Sequence, residues 1–250
     1  MRLKCLARAI AGACVWALVW ALPMAGGAQA QHGQPASATS ADGRWRLAAD
    51  TSAGIEAPRL LLVDADGRVQ REWSVATLDG KARSRVAAVH ALPQRRSFVV
   101  ALQDVAELWE ISLDPKAEPI FDGLVHDYRM GEALAKPGYL GVRRTPLARP
   151  LIDCLPDATG PVVLGIEPPG GADDDGGDGL AVIHLDVRRQ IARLALDGPA
   201  DLAGARFVVS EGRPLLAVPN RRNTRVQWFD RKTWAPVAPP PDPLPDQPPG

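Results

Sequence analysis

RVAAVHALPQRRSFVVALQDVAELWEISL (Arg85–Leu113) decides the fold. It opens with a β-rich run, RVAAVHAL (Arg85–Leu92), and a turn, PQRR (Pro93–Arg96). A second run, SFVVAL (Ser97–Leu102), ends at a polar break, Gln103-Asp104. A third, AELWEISL (Ala106–Leu113), alternates Leu108, Glu110 and Ser112 on one face with Trp109, Ile111 and Leu113 on the other. An excursion follows, GLVHDYRMGEALAKPGYLGVRRTPLARPLID (Gly123–Asp153), with helical character only in Met130–Ala135. Three short strands joined by tight turns, then a long loop, form the pattern of one β-propeller blade.

The same pattern recurs on both sides. Upstream, GRWRLAAD (Gly43–Asp50) is a strand, and Arg59–Asp64 and Arg68–Val75 pair through the turn Ala65-Asp66-Gly67. Asp-Gly suits that turn because glycine accepts positive φ without a Cβ clash. Downstream, a third unit starts near Leu151 and holds Pro161–Ile166, Leu180–Val187 and Gln190–Leu196. A fourth holds Arg206–Ser210, Pro214–Val218, Arg225–Asp230 and Trp234–Val237. Strands recur about every 8 to 12 residues, and no long helical period intervenes. A β-sandwich is the rival architecture. The repeated hairpin unit ending in Asp64, Asp186 or Asp230 favours an all-β, antiparallel, partial or small propeller of about four blades over residues 43–238.

The ends have different compositions. Residues 1–30 combine Arg2, Lys4 and Arg8, the apolar run Ala9–Pro23 and an Ala28-Gln29-Ala30 cleavage signal, the pattern of a secretory signal peptide. The run is short for a membrane span, so none is expected after cleavage, and the compartment is the periplasm. Residues 31–42 read as a disordered leader and 239–250 as a polyproline-type tail. Past the signal peptide, 26 Lys+Arg face 29 Asp+Glu, which argues against a nucleic-acid partner. Cys154 is then the sole cysteine, so no internal disulfide forms, and it reads as a small buried hydrophobe rather than a ligand.

Arg85–Leu113, DGLAVIHLDVRRQIARLALDGP (Asp178–Pro199) and the fourth unit resemble the d1-haem propeller of cytochrome cd1 nitrite reductase and its relatives in d1-haem biosynthesis. The likeness covers most of Arg59–Val237. It implies a fold that holds haem d1 near the propeller axis with histidines and arginines. Two departures stand out. The family fold has eight blades, and this chain has length for about four, at about 40 to 50 residues each. Open blade edges are association-prone, which favours pairing with a second copy or another chain. The family also carries a Pro-His pair before the fourth unit. Here that turn reads DGPADLAG (Asp197–Gly204), with Ala200 in the histidine position. A methyl group neither ligates iron nor donates a hydrogen bond, which argues against nitrite reduction. No C-x-x-C-H is present to attach a c-type haem.

Within the resemblance, His126, Asp127, Tyr128 and Arg129 form the most functional-looking cluster, in a loop of the kind that carries binding groups. His126 or Tyr128 suits an axial ligand, and Arg129, Arg143 and Arg144 suit the carboxylates of a tetrapyrrole. The alternative is that these residues only pin a long loop. His90 and His184 sit in aliphatic strands and read as structural, and Asn220–Asn223 reads as an exposed turn. Asp173, Asp174, Asp175 and Asp178 lack the order of a dedicated calcium loop. No nucleophile elbow, phosphate loop or zinc pattern stands out. The leading expectation is a non-catalytic binder of haem d1, or of a periplasmic denitrification protein. An enzyme or chaperone of d1-haem maturation is the second reading, and a structural module or truncated remnant the third.

Overall fold

A computed structural model describes residues 36–52, 58–121, 135–168 and 179–241, and within them the chain is all β. Four sheets follow one another along the chain, each an antiparallel meander of four strands. The first holds β1 (Ser37–Thr39), β2 (Trp45–Asp50), β3 (Arg59–Asp64) and β4 (Val69–Ser74). The second holds β5 (Val86–Leu92), β6 (Ser97–Leu102), β7 (Glu107–Ser112) and β8 (Val142–Pro146). The third holds β9 (Asp153–Pro156), β10 (Val162–Ile166), β11 (Gly179–His184) and β12 (Arg189–Ala195). The fourth holds β13 (Arg206–Ser210), β14 (Arg213–Pro219), β15 (Val226–Asp230) and β16 (Pro236–Val237).

The sheets fan out like blades. The first strands of successive sheets stand side by side, β1 against β5 and β5 against β9, while β8 meets β12 on the outside. Each gap between sheets is filled by its own apolar cluster. Leu47, Leu60 and Leu62 meet Phe98, Val100 and Trp109 between the first and second sheets. Val99 and Ala101 meet Val163, Ala181 and Ile183 between the second and third. Leu164, Leu180 and Val182 meet Leu216, Val218 and Phe229 between the third and fourth. This explains the uninterrupted apolar run of β6, in which all six residues are buried. A strand covered on both faces has no solvent side for polar residues.

Two glycines serve this packing. Gly67 turns β3 into β4 at φ +81°. Gly165 lies inside β10, where a Cβ would come within 2.7 Å of Leu151 Cδ2. The bare backbone there lets Leu151, itself fully buried, lie across the strand from the linker between the second and third sheets.

The structure corrects two boundaries. Part of the expected disordered leader, 31–42, is β1, which pairs with β2 and turns Ala38 towards the first apolar cluster. Alanine on one face and Ser or Thr on the other is a faint period-two signal. The Gly123–Asp153 excursion contains β8, whose Arg143 and Arg144 read as loop residues although they pair with Glu110 and Trp109 of β7. Outer strands tolerate such charge because one edge meets water. The signal peptide, the Pro-rich tail beyond residue 241, the Asp173–Asp178 run and residues 130–134 of the expected helical turn lie outside the described residues.

Candidate functional site at the inner strands

The turn in which the resemblance misses its histidine is well defined. Ala200 is buried in the cluster between the third and fourth sheets and forms a β-bridge with Asn220. Arg221 N–H donates to the Pro199 carbonyl at 2.8 Å, and Asp201 N–H donates to that of Pro219 at 2.9 Å. The segment before β13 is thus stitched to the turn between β14 and β15, and the methyl of Ala200 is committed to the core.

That turn, NRRNTR (Asn220–Arg225), closes on itself. Asn220 Oδ1 accepts from Arg222 N–H at 2.8 Å, and Asn223 Oδ1 accepts from Arg225 N–H at 2.9 Å. These are side-chain-to-backbone bonds of the kind asparagine offers in turns. Arg221, Arg222 and Arg225 are exposed. Among the described residues no ion pair or side-chain hydrogen bond engages their guanidinium groups.

Two residues of the inner strands have shifted titration. Asp153 opens β9, and its Oδ1 accepts the Cys154 N–H at 2.8 Å. Burial pushes the Asp153 carboxyl above its usual range, opposed by that bond and by the charges of His90 and Arg221. His90 lies in β5, with Ala88 and Leu92 on the face towards the third sheet. Burial lowers its pKa, against Asp153 and a hydrogen bond with the Cys154 backbone, so the imidazole is neutral near pH 7. His90, Asp153 and Arg221 therefore share one electrostatic neighbourhood, although three different sheets supply them. From sequence alone His90 is a structural strand residue and Arg221 part of an exposed turn. Only the adjacency of β5 and β9 brings His90 to Asp153.

Cys154 completes the neighbourhood as a bystander. It is 2 % exposed, and burial, with Asp153 beside it, pushes its thiol well above the ordinary range. Reaction with iodoacetamide requires thiolate. The Cys154 peptide is expected to stay unlabelled in the native protein and to label fully in guanidinium. Native labelling would contradict this burial.

Of the residues chosen from sequence, the two that are described, Arg143 and Arg144, lie elsewhere. His126, Tyr128 and Arg129 fall outside the described residues. Arg143 and Arg144 occupy β8, the fourth strand of their sheet, about 14 Å from β5 at ordinary strand spacing. They point to opposite faces and do not form a pair of donors. Arg143 Nη2 donates to the Glu118 carbonyl at 3.1 Å. Arg144 Nη1 donates to Glu107 Oε2 at 2.9 Å and to the Ala76 carbonyl at 2.8 Å, and its guanidinium lies 4.4 Å over the Trp109 ring. His184, at the end of β11, leaves a buried Nδ1 without a partner. Among the described residues no group of three His, Cys, Asp or Glu side chains could hold a metal ion. No helix there is long and apolar enough to cross a membrane.

A fan of four-stranded antiparallel blades with its first strands side by side has the architecture of a β-propeller. Residues 25–120 match the cytochrome D1 heme domain, and the chain resembles that domain and its d1-haem biosynthesis relatives. In particular, it is 31% identical over 201 residues to the dihydro-heme d1 dehydrogenase of Pseudomonas aeruginosa, a match taking in 80% of this chain and 34% of the relative. The chain thus spans about a third of the length of that protein. A structure of dihydro-heme d1 dehydrogenase NirN in complex with DHE superposes with a TM-score of 0.59 at 31% identity, covering 81% of this chain and 36% of that one. A fainter likeness is to the β-propeller domain of Cps50 (Swd1) from Myceliophteria thermophila. There the TM-score is 0.43 and the identity 18%, over 85% of this chain and 55% of that one.

Proposed function

We propose that this d1-haem-domain-like chain is a periplasmic, non-catalytic protein that binds a d1-type haem at its inner-strand end. The observation that carries the reading is the pairing of Ala200 with the Asn220–Arg225 turn. The place of the expected imidazole is a buried methyl, and the groups beside it are exposed guanidiniums. Such a surface fits the carboxylates of a tetrapyrrole, which arginine grips as a two-pronged donor. Position 200 offers iron no ligand. When bound, the haem supplies redox-active iron. The chain's own residues supply orientation and charge. A relative named as a dehydrogenase of dihydro-heme d1 and a related structure in complex with DHE support the ligand class. The compartment rests on the signal-like residues 1–30.

A second reading puts the ligand on the His126 loop, as a maturation enzyme or chaperone would. One observation favours it. The base of that loop is closed by the Ile120–Lys136 bridge, and a crevice between the first and second sheets opens nearby, walled by Trp45, Arg96 and Tyr139. Titration of the purified protein with d1 haem, followed by its Soret band, separates the two. Binding at micromolar haem that survives His126→Ala but weakens about tenfold or more in Arg221→Ala supports the inner-strand site. Loss in His126→Ala alone moves the site to the loop. No spectral change in the wild-type protein removes haem binding altogether.

A further inference from the structure

We infer that the crevice between the first and second sheets is a docking groove for the proline-rich stretch Pro239–Gly250 of a second copy of this chain. The inference goes beyond the proposed inner-strand haem site and does not rest on it. Three observations carry it.

First, the crevice is an aromatic groove on a fixed frame. It encloses about 280 Å³ beside the β1–β2 and β5–β6 turns, and its lining includes Trp45, Tyr139, Leu113 and Pro93 with Arg44 and Arg96. Trp45 is half-buried against the first apolar cluster. Its N–H donates to Ser40 Oγ at 3.0 Å, and its carbonyl accepts the Ser40 N–H at 2.8 Å. Tyr139 is 39% exposed, yet its segment is tightly seated. Leu140 N–H donates to the Ser112 carbonyl at 2.9 Å, and a Cβ on Gly138 would collide with the Glu118 carbonyl. Rings on such a backbone lose little freedom when a ligand arrives.

Second, the hydrogen-bond chemistry of the groove is one-sided. Among the described residues no hydrogen bond engages the Trp45 indole N–H, the Tyr139 hydroxyl or the Arg44 guanidinium. Arg96 lends Nη1 to Asp114 at 3.2 Å. Asp42 spends Oδ1 on its own turn, accepting Ser40 Oγ–H at 2.6 Å and Arg44 N–H at 3.1 Å. The free groups are donors. A polyproline II segment is the complement, because it makes no internal hydrogen bonds and each proline brings a carbonyl without an N–H. Seven of the twelve residues of PPPDPLPDQPPG (Pro239–Gly250) are proline, and its only charged side chains are Asp242 and Asp246, opposite in sign to Arg44 and Arg96. Aromatic-lined grooves are the usual receptors of such segments.

Third, distance selects the second copy. The ion pairs Arg95–Asp186 and Arg231–Asp157 tie the β5–β6, β11–β12, β9–β10 and β15–β16 turns together at one end of the fan, the end that holds the groove. β16 starts from that end and runs to the other, on the outer strand of the fourth sheet. From Val237 the thirteen residues to Gly250 reach about 40 Å as polyproline II. The way back over the surface is about 17 Å along a strand and about 25 Å across the intervening sheets. Those two legs use the whole length before any residue is seated. The stretch falls short of its own groove but meets that of a neighbouring copy freely.

Sedimentation velocity of the whole purified protein and of a form ending at Ala238 tests the association. The shortened form keeps all sixteen strands. The synthetic peptide Ala238–Gly250, titrated into it and followed by protein tryptophan fluorescence, tests the groove. The peptide should bind saturably below about 1 mM. Tyr139→Ala and Arg44→Glu should each weaken it about tenfold or more, and Tyr139→Phe, which keeps the ring and loses the hydroxyl, should weaken it less. Both positions are exposed, so these variants should keep the wild-type urea midpoint. The whole protein should associate as its concentration rises, and the shortened form should not. Absence of saturable peptide binding overturns the groove. Binding left unchanged by Tyr139→Ala and Arg44→Glu overturns its location. A whole protein that stays monomeric and refuses the peptide holds its own tail in the groove. One that stays monomeric and still takes up the peptide leaves the groove to a proline-rich segment of another protein. Either result overturns the second copy as the occupant.

Discussion

Arg231→Ala is expected to cost the fold about 3–5 kcal/mol, a large share of the roughly 5–15 kcal/mol that holds a domain together. The reason lies with its partner. Asp157 is 1 % exposed, and its Oδ2 accepts from Arg231 Nη2 across the gap between the third and fourth sheets. Its Oδ1 is already used, taking Thr159 N–H at 2.9 Å and Thr159 Oγ1–H at 2.8 Å to shape the β9–β10 turn. Removing Arg231 leaves a buried carboxylate half-satisfied, and the desolvation already suffered is no longer offset. It also strips the cation from the Phe207 ring, 4.6 Å away. The double variant Asp157→Asn/Arg231→Met should regain most of the loss, because it leaves no unpaired charge. Urea unfolding of the four members of this cycle measures the coupling. A single-variant loss below about 1 kcal/mol, the range of exposed pairs, would show that the contact is solvated after all.

The same contact illustrates what could be read from the chain and what could not. Hairpins announced themselves wherever β-branched runs met a glycine turn. Arg59–Asp64 with Val69–Ser74 around Gly67, and Arg206–Ser210 with Arg213–Pro219 around Gly212, are where the residues placed them. β1 and β8 were missed because their side chains are small or charged. Sheet membership there comes from a neighbouring backbone, not from local preference. Ala200 could be singled out from the resemblance alone. That its backbone is bridged to Asn220, and that β5 and β9 stand side by side and bring His90 to Asp153, depends on contacts between residues far apart in the chain. No period or motif reports such contacts. Arg144 shows the converse: a pair of arginines in sequence suggests a joint grip, whereas strand alternation sends them to opposite faces.

Trp109→Ala should be nearly as damaging, by about 3–5 kcal/mol, the usual cost of deleting a large buried aromatic. Trp109 is 1 % exposed and packs among Leu60, Leu62 and Val100 in the cluster that joins the first two sheets. Its indole N–H donates to Glu107 Oε2 at 2.7 Å, the oxygen that also takes Arg144 Nη1, and its ring carries the Arg144 guanidinium. The substitution opens a cavity and removes both the platform under Arg144 and one of the two donors to Glu107. Trp109→Phe keeps the platform and loses only the donor, so it should cost about 1–3 kcal/mol. Arg144→Ala should fall near the same figure, through the lost bonds to Glu107 and the Ala76 carbonyl, without changing haem affinity. The reasoning is geometric. The Arg144 side chain is only 16% exposed, on the outermost strand of its sheet, with its donors facing Glu107 and the backbone of the preceding linker. Arg144→Ala with wild-type stability and weakened haem binding would reverse the assignment, making β8 part of the ligand site and the Trp109 stack incidental.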